Sequence, residues 1–259
     1  MALENTGAAY FVGTSVIIIP ARYGSTRLAG KMLLAETGKP LIQHVYENAV
    51  RAKRPREVIV AADDERIRQA VLSFGGKCVM TRPDHPSGSD RIAEVARSLD
   101  CEVVLNVQGD EPEMDPRVMD EVIEALENDP GSVVSTAAVP ITSDEELRSP
   151  NVVKVALDGA GRALYFSRAP IPYPRDGWPA GKILALKHLG IYAYRREFLL
   201  RYTRMSQTPL EKLEKLEQLR ILENGLRIRV IVAGHDGRGI DTIEDYRRFV
   251  EKIKIEEKR

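Results

Sequence analysis

Cysteine is nearly absent: Cys78 and Cys101 are the two in 259 residues. They lie far apart and form neither a CxxC nor a metal-ligand spacing, which leaves reduced structural thiols and no disulfide framework. Long apolar runs are missing as well. None approaches the roughly 20 residues that a membrane helix needs, so no membrane insertion is expected. Neither sign of charge is in excess, with 38 Lys and Arg against 38 Asp and Glu. Such a chain has no global field for nucleic acid or an anionic membrane, and any anion site in it must be local. Residues 1–15 carry no Lys or Arg. They lack the basic region of a secretory signal and the arginines of a transit peptide; we take them as an N-terminal extension and expect a cytoplasmic protein. No Ser-His-Asp or Cys-His set is apparent. His44, His85 and His235 show no metal-ligand spacing, and no internal repeat or low-complexity tract is present.

What is present is ordinary for a globular protein: 43% hydrophobic and 29% charged residues, at a length that suits one large α/β domain. The run VIIIPA, 16–21, is apolar throughout, as a parallel strand covered on both faces should be. Strand-like and helix-like stretches then alternate. Helices are expected over 41–53, from Asp63 or Asp64 to Phe74, over 90–98 and over 116–128, with Asp115 as a cap; strands are expected over 57–62, in KCVMT and over 102–108. That alternation predicts a doubly wound, mostly parallel sheet. After Val133 the pattern changes to longer strands, a Pro-rich loop over 168–181, one charged helix carrying Leu210, Leu213, Leu216, Leu219 and Leu222, a late strand over 227–233 and a terminal helix over 242–254. The fold class expected is therefore α/β, with a smaller mixed α+β segment.

In such sheets ligands sit beyond the carboxyl ends of strands. The loop after the first strand, RYGSTRLAGK, places Arg22, Arg27 and Lys31 beside Gly24 and Gly30, which suits a triphosphate. It is neither GxGxxG nor GxxxxGK[ST], and on composition alone a solvated surface loop fits equally well. NVQGDEP, 106–112, ends a buried strand in an acidic cluster. Asp110 there suits a magnesium ligand or a plain turn. Asp241 stands at another strand-loop-helix junction, where a helix cap is the bland alternative.

PARYGSTRLAGK resembles the PARxxSxRLPGK signature of the Kdo cytidylyltransferases, the CMP-Kdo synthetases. The likeness continues in the same order through TRPDHPSGSDR, NVQGDEP, PNVVKVALD, ALYFSRAPIP, HLGIYAY, PLEKLEKLEQLR and GIDTIEDY, and so spans Val16 nearly to the C-terminus. Ala29 and Met32 stand where the family usually has prolines, and Ser89-Asp90 where Thr-Glu or Thr-Asp is common. These departures soften the loop but remove no ionisable group.

The resemblance implies transfer of CMP from CTP to the anomeric hydroxyl of 3-deoxy-manno-octulosonate (Kdo), releasing pyrophosphate, for lipopolysaccharide synthesis. It implies residues 16–259 as a single nucleotidyltransferase domain, with 140–205 a sugar-binding and dimerisation segment of a homodimer. Lys31, Arg22 and Asp110 are the expected catalytic residues. Arg22, Ser25, Lys31, Arg82, Ser87 and Gln108 are expected at the nucleotide, and Asp110 with Asp241 at Mg²⁺. For the sugar acid, Arg168 is the expected partner of the carboxylate, since guanidinium binds it bidentately. His188, Tyr192, Glu217 and Gln218 are expected at its hydroxyls. The alternatives are a related sugar acid, such as an 8-amino Kdo analogue or a sialic acid, and a noncatalytic nucleotide-sugar sensor.

Overall fold

The computed structural model describes residues 15–24, 28–179, 182–234, 236–237 and 239–256. In chain order the elements are β1 (Ser15–Ala21), α1 (Leu41–Ala49), β2 (Val58–Ala62), α2 (Glu65–Ser73), β3 (Cys78–Met80), α3 (Gly88–Ala96), β4 (Val103–Asn106), α4 (Pro116–Glu127) and β5 (Val134–Pro140). They continue with α5 (Asp144–Arg148), β6 (Lys154–Leu157), β7 (Ala163–Ser167), β8 (Leu186–Arg195), α6 (Arg196–Tyr202), α7 (Pro209–Glu214), α8 (Leu219–Glu223), β9 (Ile228–Val232) and α9 (Ile243–Glu256). The strands form one sheet, ordered β3-β2-β1-β4-β8-β5-β9, with β6 paired to β7 and to β8. The leading half is parallel, β1 pairing with both β2 and β4. β8 runs antiparallel between β4 and β5, so the later half continues the sheet. The expected α/β class and mostly parallel sheet are present.

Alternation along β1 sends Ile17 and Ile19 into one core and Val16 and Ile18 into the other, all fully buried. Burying one such side chain contributes roughly 1.5–3 kcal/mol, so this strand anchors both layers. Capping follows the residue types. Asp64 accepts from Arg66 N at 2.9 Å and opens α2; Asp115 accepts from Arg117 N at 2.8 Å and opens α4.

Three boundaries differ from expectation. α1 stops at Ala49 rather than at 53, because the Asp120 carboxylate takes the backbone N–H groups of Lys53 (2.9 Å) and Arg54 (2.8 Å). α3 begins at Gly88 because Ser87 caps it. The single leucine helix is in fact two, α7 and α8, broken where Lys215 turns left-handed at φ 55°. Leu213 is accordingly exposed while Leu216 and Leu219 are buried, and the break turns Glu217 and Gln218 toward the sheet's open end.

Candidate active site

The loops after β1, β3 and β4 meet around a cavity of about 340 Å³, lined among others by Arg22, Lys31, Ser87, Arg91, Gln108 and Asp110. Gly30, at φ 65°, makes the left-handed turn that starts a short 3₁₀ helix at Lys31. Lys31 is buried. Its ammonium forms an ion pair with the Asp110 carboxylate and donates to the Ile240 carbonyl at 3.2 Å. The loop after β4 crosses the loop after β1 at Gly109, where a Cβ would stand 2.9 Å from the Pro20 carbonyl and 3.0 Å from Met32 Sδ. Only glycine fits that crossing.

Arg91 is the largest surprise at this cavity. Its guanidinium is buried and donates to Thr81 Oγ1 (2.6 Å), the Arg82 carbonyl (3.2 Å) and Asp63 (3.1 Å). Asp63 in turn accepts from Tyr23 N at 2.9 Å. One ion pair thus ties the loops after β1, β2 and β3 to α3. The signal was legible: Arg91 closes TRPDHPSGSDR, and Asp63 follows a strand end. His85, packed against the Glu94 carboxylate, lines the same cavity and was not anticipated either. Of the expected nucleotide residues, the Arg82 side chain is exposed beside Asp84 and does not line this cavity. Ser25 lies outside the described residues.

A second pocket, of about 230 Å³, adjoins the first and shares Gln108 and Glu217 with it. Tyr192, Tyr194, Asn106 and Gln218 complete much of its wall. Tyr202 donates to the Glu217 carbonyl at 2.8 Å and Ser89 to the Glu217 carboxylate at 3.3 Å, which fixes this turn against α6 and α3. Burial holds the Tyr192 phenol well above its usual range, so it stays a neutral donor. Three expected sugar residues, Tyr192, Glu217 and Gln218, are therefore brought together here.

The other two are elsewhere. His188 packs between the rings of Phe166 and Tyr192, with Nε2 3.0 Å from Thr136 Oγ1. Burial pushes its imidazole down to about 3. It borders a third hollow with Glu111, Lys187, Asp236 and Asp241. The Arg168 guanidinium is engaged with backbone, donating to the Glu214 carbonyl and the Pro150 carbonyl, each at 2.8 Å. It lines none of the three cavities.

Ile240 N donates to the Asp110 carbonyl at 2.8 Å, which holds the Asp241 segment against the loop after β4. Between them lies Glu111. Burial, followed by the charges of Asp110, Asp236 and Asp241, raises its carboxyl to about 8, and its Oε2 has no partner among the described residues. A carboxyl buried among three other acidic side chains gives this spot the oxygen chemistry that a cation takes. No group of three or more side-chain ligands able to hold a metal exists among the described residues. Magnesium does not require one, since it commonly takes one or two carboxylates and completes its shell with water and phosphate.

Known proteins resemble this chain in sequence and fold. The family profile described as Cytidylyltransferase matches residues 16–228. A 3-deoxy-manno-octulosonate cytidylyltransferase of Geobacter sulfurreducens is 49% identical over 245 residues, covering 92% of this chain and 98% of that one. One of Syntrophobacter fumaroxidans is 51% identical over 236 residues, covering 90% and 94%. A solved structure of a CMP:2-keto-3-deoxy-manno-octonic acid synthetase complexed with CTP superposes with a TM-score of 0.89 at 45% identity, covering 94% of this chain and all of that one. The chain belongs to the cytidylyltransferases and, within them, to the 3-deoxy-manno-octulosonate cytidylyltransferase family.

Proposed function

We propose that this enzyme transfers CMP from CTP to the anomeric hydroxyl of Kdo. The anomeric oxygen forms a bond to the α-phosphorus, the bond from that phosphorus to the bridging oxygen breaks, pyrophosphate leaves, and the hydroxyl proton passes to water. The carrying observation is the pair of adjoining pockets that share Gln108 and Glu217: one is lined by Arg22 and Lys31, the other by Tyr192 and Gln218. Arg22 and Lys31 meet the triphosphate and stabilise charge as it shifts to the leaving group. Ser87 and Gln108 stand where the base and ribose enter. Glu217, Gln218 and Tyr192 receive sugar hydroxyls and hold the nucleophile near the α-phosphate, so that much of the rate comes from positioning.

Asp110 and Asp241 are the residues that would hold magnesium; bound there, the ion would offset phosphate charge and polarise the reacting phosphorus. The chain's own part is to keep two carboxylates and Lys31 at one strand-end junction. Lys31 and Asp110 neutralise each other across this junction.

A pyrophosphate-release assay crossing four nucleoside triphosphates with Kdo, its 8-amino analogue and a sialic acid tests the proposal. CTP with Kdo should be fastest. Equal rates with another sugar acid would shift the substrate, and no release with any pair would leave the nucleotide-sugar sensor.

We also propose a cytoplasmic homodimer formed through 140–205. Leu164, Tyr173 and Leu184 in that segment are 63%, 84% and 61% exposed, large apolar side chains that an interface would cover. No described helix is long and apolar enough to cross a membrane. Light scattering at micromolar concentration that gave a monomer would remove the dimer.

A further inference from the structure

Asn106 is the last residue of β4, two residues before Gln108 and directly opposite Tyr192 on β8. Residues paired across strands share a face, so its side chain stands on the face that carries the second pocket. The residue is only 2% exposed and lines that pocket with Gln108, Tyr192, Glu217 and Gln218. Its Oδ1 has no hydrogen-bond partner among the described residues. Two neighbouring hydroxyls are already engaged: Tyr202 donates to the Glu217 carbonyl and Ser89 to the Glu217 carboxylate. A buried amide oxygen left unpaired is costly, and proteins rarely keep one that nothing ever fills.

The position sharpens the point. The other residues of β4 are Val103, Val104 and Leu105, all buried and apolar. A fourth apolar side chain would complete the strand at no polar cost. An amide here serves the pocket and not the core.

We infer that the Asn106 side-chain oxygen accepts a hydrogen bond from a hydroxyl of the sugar acid and so helps to determine which sugar is used. This takes the pocket beside Gln108 as the sugar-acid site, as proposed above. A buried acceptor discriminates strongly, because a substrate without the matching hydroxyl leaves it unpaired in the complex.

The test is Asn106→Leu, which keeps the approximate volume and removes the acceptor. The unliganded variant should be at least as stable as wild type in urea, because no internal bond is lost. Its KM for CTP should be unchanged. Its KM for Kdo should rise about tenfold to a hundredfold, the range expected of one lost hydrogen bond in a closed pocket. A series of sugar acids each lacking one hydroxyl should contain one that wild type and variant use equally poorly, which identifies the bonded group. Should the leucine variant fail to fold, Asn106→Ala carries the same expectations for KM. An unchanged KM for Kdo, or equal rises for Kdo and CTP, overturns the assignment while leaving the functional proposal standing. A wild-type chain inactive on Kdo overturns both.

Discussion

Arg91 and Asp63 meet at 3.1 Å beneath the cavity lined by Arg22 and Lys31, both largely out of solvent, and three strand-end loops hang from their contact. Tyr23 N binds the carboxylate, while Thr81 Oγ1 and the Arg82 carbonyl bind the guanidinium. Removing one partner of a buried pair strands the other and costs about 3–5 kcal/mol. Arg91→Met should therefore lower the unfolding free energy measured in urea by that much and raise the KM for CTP. Adding Asp63→Asn should return part of the loss. A double-mutant cycle with purely additive effects would mean that the two residues are not coupled.

Asp110→Asn and Asp241→Asn should each cut turnover by orders of magnitude and raise the magnesium needed for half-maximal rate, with unchanged circular dichroism. Lys31→Met should lower turnover similarly without changing the magnesium requirement. Near-normal rates in both aspartate variants at limiting magnesium would refute the proposed ligand pair.

His188 makes stability depend on pH. Its imidazole ordinarily titrates near 6.5 and is held down to about 3 in the folded chain by burial. Between those values the unfolded chain binds a proton that the folded one does not, so stability falls as pH drops below 6.5. The slope from this group is at most about 1.4 kcal/mol per pH unit. His188→Gln should flatten urea midpoints measured at pH 7.5, 6 and 5. An unaltered slope in the variant would exclude His188 as the cause.

Arg168→Ala should lower stability by about 1.5–3 kcal/mol, since a charged donor to the Pro150 and Glu214 carbonyls is lost. Lys154→Met should do at least as much: the ammonium of this fully buried lysine donates to the carbonyls of Ser149 (2.9 Å), Val152 (2.6 Å) and Arg168 (2.6 Å). Both should leave the KM for CTP unchanged. An Arg168→Ala protein as stable as wild type, whose sole defect is a higher KM for Kdo, would return Arg168 to carboxylate binding.

The leading half of the fold was legible because its signals are local: an all-apolar β1, a capping aspartate before α2 and α4, and a loop rich in glycine and cations. The later half was less so. No local signal places β8 between β4 and β5, since strand order is decided by distant pairing. The leucine repeat of 210–222 fits one helix by periodicity, yet Lys215 breaks it to bring Glu217 into the pocket, a tertiary demand that outweighs propensity. For Arg168 the residue type pointed to a carboxylate, but the structure has its guanidinium on backbone carbonyls, which composition cannot reveal. Asn106 carries no mark in the sequence, because an unmet acceptor shows itself only when its surroundings are known.

The fit of Gly109 beneath Pro20 and Met32 joins the loop bearing Lys31 to the loop bearing Asp110 by shape. That close approach of backbone and thioether joins the loops in addition to the ion pair between the Lys31 ammonium and the Asp110 carboxylate. Shape and charge thus hold the same two loops together by separate means.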